Sequence, residues 1–187
     1  MQNTIIYLVG FSGSGKYSIA KEICRITNAR LVDNHLINNP VFSLIRIDGK
    51  TPFPDAIWNK TKAIRRIVID TITENAPPEF SFIFTNELFA DSLSCQEIFS
   101  EITHLASIRS SKFIPIRILC DEGELCHRIQ SLDREKHFKE TSVKNLKLKL
   151  RAKKLLAIKH PHLLDLNVTQ LTPLEAAGLI ISHANSV

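Results

Sequence analysis

The segment Gly10-Phe-Ser-Gly-Ser-Gly15-Lys16 constrains this chain more than any other. It follows an apolar, β-branched run over residues 3–10, and it precedes a stretch in which Ile19, Ala20, Ile23, Cys24 and Ile26 recur at helical spacing. A strand that turns through glycines straight into a helix aims backbone N–H groups and the positive end of the helix dipole at one point. That point is a seat for phosphate oxygens. With Gly and Lys each at about 7% of average usage, the three fixed positions of G-x-x-x-x-G-K recur by chance roughly once in 3,000 starts. The motif therefore assigns Gly10, Ser12, Gly13, Ser14, Gly15, Lys16, Tyr17 and Ser18 to a phosphate-bearing ligand, with Lys16 reaching for the outer phosphates. Tyr17 departs from the pattern, because it stands where Ser or Thr would offer a hydroxyl to a magnesium ion. A phenol would overshoot that metal, so either Ser18, one residue later, is the metal ligand, water takes its place, or magnesium use is weakened.

The rest of the chain alternates strands with helices. Residues 29–33, 80–85, 113–120 and 163–167 read as strands, and 80–85 (FSFIFT) has the continuous apolar character of a strand covered on both faces. Helices are expected over residues 36–47, interrupted near Pro40, over 55–75, from Asp91 or Ser92 to about 110, over 123–132 behind Asp121, and after Thr172 with Pro173 and Glu175 in the first turn. A linker at residues 48–54 carries Gly49, Pro52 and Pro54. Residues 146–151 alternate Leu with Lys or Arg at strand period, yet lack β-branched residues and read as helix. Five strands alternating with helices make an α/β three-layer sandwich on a mainly parallel sheet, in a single domain spanning 1–187.

Composition excludes several classes. At 44% apolar and 23% charged the chain is neither disordered nor fibrous. No apolar run approaches the roughly 18 residues of a membrane span, and residues 1–10 lack the features of a leader, so a cytoplasmic location is expected. Cys24, Cys95, Cys120 and Cys126 form no C-x-x-C pair and read as reduced thiols. Residues 128–159 hold eleven Lys and Arg against three acidic residues, a local charge of +8 in a chain of net charge +5. Such a segment suits a phosphate partner or a solvated face; without aromatic interleaving, nucleic acid is not an expected partner.

Three further groups have candidate chemistry. Asp33 closes the second strand, at the sheet edge where open α/β folds bind ligands, and its carboxylate takes a proton from a hydroxyl, caps the following helix, or does both. His35 follows as a candidate substrate contact. The third strand ends Thr85-Asn86-Glu87, with Asn86 a candidate substrate ligand and Glu87 a carboxylate beyond it.

These motifs resemble the P-loop small-molecule kinases, the group of shikimate kinase, gluconate kinase and chloramphenicol phosphotransferase. The resemblance runs through residues 10–16, 33–40 (DNHLINNP), 84–87, 118–139 and 165–177. It implies a P-loop NTPase fold with a five-stranded parallel sheet of order 2-3-1-4-5 and a lid at about 131–141. It also implies ATP and Mg²⁺ as cofactors, transfer of the γ-phosphoryl to the hydroxyl of a small-molecule acceptor, and a monomer or weak dimer. By the same resemblance Lys16, Asp33, Arg128 and Arg134 are catalytic, the two arginines belonging to the lid, and Arg65 matches a region that holds acceptor-binding arginines in shikimate kinase. Lys136 and Lys139 read as solvated lid charges. Two other readings stay open: a nucleoside monophosphate kinase, and a nucleotide-binding regulatory protein without transferase activity, which Tyr17 favours.

Overall fold

A computed structural model describes residues 1–45, 54–131, 134 and 139–187. Its elements in chain order are β1 (Thr4–Gly10), α1 (Lys16–Thr27), β2 (Arg30–Asp33), α2 (Asn34–Phe42), α3 (Asp55–Asn75), β3 (Phe82–Asn86), α4 (Leu93–Ile108), β4 (Lys112–Leu119), α5 (Glu122–Arg128), α6 (Val143–Ala152), β5 (Leu164–Asn167) and α7 (Pro173–Ser186).

The five strands form one parallel sheet in the order β2-β3-β1-β4-β5. Every residue of β1 is buried, as its central place and unbroken apolar sequence require. Strand alternation divides its side chains between two cores. Ile6 and Leu8 pack with Ile19 and Ile23 of α1 and Ile180 of α7, whereas Ile5, Tyr7 and Val9 pack with Ile72 of α3 and with Ile102 and Leu105 of α4. Register then aligns the functional end of the sheet: Asp33 pairs with Thr85, Val9 with Asn86 and Gly10 with Ile118. Far from that end, Arg109 donates to the carbonyls of Ile72 (2.6 Å) and Pro77 (2.8 Å), satisfying the C-terminus of α3.

Two helices differ in their bounds from the sequence reading. α2 starts at Asn34 because Asp33 caps it, and Pro40 lies inside it; the helix continues only two residues further, to Phe42, since proline removes a backbone donor while buried Val41 and Phe42 hold the last turn to the core. α5 stops at Arg128, four residues early, and Ile129 closes it. Of the two caps expected for α4, Ser92 takes the role, and Asp91 pairs with Lys153 at 2.6 Å. The 146–151 stretch is helical, within α6, with Leu146 buried and Leu148 exposed. The linker at 48–53 and most of the expected lid, including Lys136, fall outside the described residues. All four cysteines are free thiols. No helix among the described residues is long and apolar enough to cross a membrane.

Candidate functional site

The loop between β1 and α1 takes its shape from its glycines. Gly13 and Gly15 sit at φ +87° and +84°, a region that side chains rarely adopt. Gly10 is compelled by space instead: a Cβ there would lie 2.8 Å from the backbone oxygen of Ile118 on the paired strand and 2.8 Å from Ser14 Oγ. Within this turn Lys16 folds back, its Nζ donating to the carbonyls of Gly10 (2.7 Å) and Phe11 (2.9 Å). Burial lowers its pKa to about 8, against the opposing pull of the Glu87 and Asp33 carboxylates. Ser14 is buried, and the exposed Ser18 borders the cavity beside the loop. Tyr17 also borders it, with the Lys139 ammonium 4.1 Å from its ring centre.

Glu87, just beyond β3, reaches across to this loop. Its Oε1 accepts from the backbone N–H of Ser12 at 2.7 Å, and its Oε2 accepts from Lys149 of α6 at 2.9 Å. The chain had offered Glu87 only as a carboxylate of unspecified use, and Lys149 was hidden among the many lysines of residues 128–159. Only the fold, by packing α6 through Leu146 against Leu125 and Ile129, brings one of them to the cavity.

Asp33 performs the capping role: Oδ1 accepts from the His35 N–H at 2.9 Å and Oδ2 accepts from Thr85 Oγ1 at 2.6 Å, in a position 3% exposed. Its carboxylate still borders the cavity. Beside it a relay of amides is fixed, Tyr7 hydroxyl to Asn86 Oδ1 (2.9 Å) and Asn86 Nδ2 to Asn34 Oδ1 (2.9 Å). Burial lowers the imidazole pKa of His35 to about 4, so the ring is neutral at pH 7.

The expected arginines separate. Arg128 pairs with Glu124 at 2.6 Å and donates to the carbonyls of Val168 and Thr169, both at 3.1 Å, which joins α5 to the loop after β5. Its guanidinium also lies close beside the loop, since a Cβ on Gly15 would be 3.6 Å from Arg128 Nη1. Arg134 donates to the Glu140 carbonyl at 2.9 Å and borders the same cavity. Arg65 does not join them: it is paired with Glu101 of α4 at 2.8 Å and is absent from the cavity wall. What the fold gathers is thus one space of about 980 Å³ bounded by Lys16, Asp33, His35, Asn86, Arg128 and Arg134, to which it adds Trp58 and Lys149. Trp58 had a place in the helical pattern, but no motif tied it to a ligand.

No protein-family model and no curated protein matches the sequence. Solved structures match over nearly the whole chain. A gluconokinase from Sinorhizobium meliloti is 13% identical with a TM-score of 0.63, covering 98% of this chain and 93% of its own. A shikimate kinase from Acinetobacter baumannii in complex with shikimate is 18% identical with a TM-score of 0.60, with the same coverage of both chains. An APS kinase from Mycobacterium tuberculosis in complex with AMPPNP and APS is 14% identical with a TM-score of 0.58, covering 98% of each chain. At these identities the likeness is one of fold, which this chain shares with these kinases.

Proposed function

We propose that this protein binds ATP on its glycine loop and transfers the γ-phosphoryl group to a hydroxyl of a small-molecule acceptor. The observation that carries this reading is the single cavity that joins the phosphate seat at Lys16 to the buried carboxylate of Asp33 and to the guanidiniums of Arg128 and Arg134. Phosphoryl transfer asks a protein for little beyond position and charge. The loop amides and Lys16 orient the phosphates, and Arg134 places a planar set of donors against the charge of the transferring group. As the acceptor oxygen bonds to the γ-phosphorus, the bond to the β,γ-bridging oxygen breaks and ADP leaves with that electron pair, while the hydroxyl proton passes to Asp33. The kinase neighbours, one of them holding AMPPNP, agree with nucleotide use.

Magnesium would supply further neutralisation of phosphate charge. Ser18, Asp33 and Glu87 present oxygen donors to the cavity without forming a closed cage, a set that suits an ion arriving on the nucleotide with several of its waters. Tyr17 adds nothing to it.

The alternative, a nucleotide-binding regulator without transferase activity, is favoured by Tyr17 and by the double engagement of Asp33 as cap and as partner of Thr85. Two variants separate the readings. Lys16→Ala should lose most ATP affinity in calorimetry. Asp33→Asn keeps the capping oxygen and should bind ATP as the wild type does, while turnover across an acceptor panel falls by about 100-fold or more. Equal ATP affinity in Lys16→Ala would reduce the loop to a structural turn; wild-type protein that binds ATP but phosphorylates nothing in the panel would make the regulator the better account.

A further inference from the structure

Tyr7 brings a hydroxyl into the middle of an apolar strand. The residue is fully buried in β1, its ring stacked on Phe99 (5.6 Å between centres, 13°) and edge-on to Phe84 (6.2 Å, 71°). Tyr7 shares a face of β1 with Val9, the register partner of Asn86, and its hydroxyl reaches along the sheet to Asn86 Oδ1 at 2.9 Å. Asn86 Nδ2 then donates to Asn34 Oδ1, also at 2.9 Å. Through its backbone Asn34 is tied to the carboxylate as well: its N–H donates to Thr85 Oγ1 (3.4 Å), the hydroxyl that donates to Asp33.

Proton counting gives this relay a direction. Burial raises the pKa of the Tyr7 phenol well above its ordinary value, so the hydroxyl keeps its single proton and needs an acceptor for it. Among the described residues that acceptor is Asn86 Oδ1. With the Asn86 amide turned over, the phenolic proton would be left buried and unpaired, and the amide oxygens of Asn86 and Asn34 would face each other. Asn34 therefore spends its oxygen on Asn86. What it has to offer the cavity, which it borders next to Asp33, is its pair of amide N–H groups.

We propose that Asn34 donates a hydrogen bond to an oxygen of the acceptor, and that Tyr7, from within the core, is the positioning residue that sets this polarity through Asn86. This rests on the phosphotransferase reading and adds a contact to it: Asp33 takes the proton of the reacting hydroxyl, while Asn34 asks the same molecule for an oxygen lone pair.

Transfer from ATP is measured with glycerol, ribose, gluconate, shikimate and uridine, and the fastest of these acceptors is carried into the variants. Asn34→Ala should raise the KM for that acceptor by about three- to tenfold, the weight of one hydrogen bond, with kcat and the KM for ATP within about twofold of wild type. Tyr7→Phe keeps the packing of the ring and removes the hydroxyl; it should raise the same KM by about threefold, and in the Asn34→Ala background it should raise it no further. A merely structural role for Tyr7 would act alike in both backgrounds. Neutron diffraction from the perdeuterated wild type reads the polarity itself: the Tyr7 deuteron should point to Asn86 Oδ1, and Asn34 should turn Nδ2 to the cavity. A wild-type KM in Asn34→Ala or in Tyr7→Phe, a Tyr7→Phe effect that persists without the Asn34 amide, or the opposite polarity overturns this proposal alone. Wild-type protein that transfers to none of these compounds overturns the phosphotransferase reading, and this proposal with it.

Discussion

The carboxylate of Glu87 and the backbone nitrogen of Ser12 are 2.7 Å apart, so a side chain at the end of β3 fastens the loop that follows β1. The same carboxylate holds Lys149 of α6 at 2.9 Å. One acidic group therefore joins three segments around the phosphate seat, and it places negative charge where a nucleotide would bring more. Holding the loop in shape and repelling its ligand are opposite effects of a single residue.

Those effects separate by substitution. Glu87→Gln keeps an oxygen for Ser12 N–H but removes the charge and frees Lys149 for phosphate, so affinity for ATP should rise by about three- to tenfold at low salt and less at high salt. Glu87→Ala also removes the hydrogen bond, which should cost on the order of 1 kcal/mol of stability and cancel part of that gain. Calorimetric titration of the three forms at two ionic strengths decides this; weaker binding in Glu87→Gln than in the wild type would show that the charge itself supports the nucleotide.

Lys16 gives the site a pH signature. Its pKa is lowered to about 8 by burial, and a bound triphosphate would hold it protonated, so near pH 8 binding should take up about half a proton, falling toward none by pH 6. Calorimetry in buffers of different ionisation heat reads this directly. For the free protein the sign is opposite to that of a stabilising ion pair: the cost of burying the ammonium is fully present below pH 8, and stability rises between about 8 and 10.5 as the folded state sheds a proton that the unfolded chain keeps. Lys16→Met should accordingly stabilise the empty protein at pH 7 while losing the nucleotide. A Lys16→Met protein no more stable than wild type would show that the ammonium is well solvated.

How far the chain could be read in advance depended on whether the signal was local. The glycine loop, the capping box at Thr172 and Glu175, and the five strands are each written in neighbouring residues, and the fold contains them. Asp33 was legible as a sheet-edge carboxylate and as the cap of the following helix, but its second partner, Thr85, was not, because Thr85 lies on another strand. Arg65 is a second case of a remote partner. Nothing near it in sequence reveals that Glu101, 36 residues on, will pair with it across α3 and α4. Trp58 and Lys149 carried helix-compatible sequence and no motif, so only packing could bring them to one cavity.

Gly10, at the end of β1, and Gly123, in α5, make opposite predictions. Gly10 pairs with Ile118 in the sheet, and the absent Cβ leaves room for that strand's backbone oxygen and for Ser14, each 2.8 Å from where the Cβ would lie. Neither the paired strand nor the loop can retreat without shifting the phosphate seat, so Gly10→Ala should cost about 1–3 kcal/mol and weaken ATP binding along with stability. Gly123 lies in α5, after β4, with nothing within 4 Å of its hypothetical Cβ. There an alanine meets no obstacle and restricts the unfolded chain, so Gly123→Ala should stabilise by about 0.5–1 kcal/mol and raise the melting temperature by roughly 1–4 °C, with ATP affinity unchanged. Thermal unfolding with and without ATP tests both at once: the nucleotide-induced rise in melting temperature should shrink in Gly10→Ala and persist in Gly123→Ala. An undiminished rise in Gly10→Ala would mean that the loop can accept a side chain at its first position and that the close approach to Ile118 does not set the geometry of the seat.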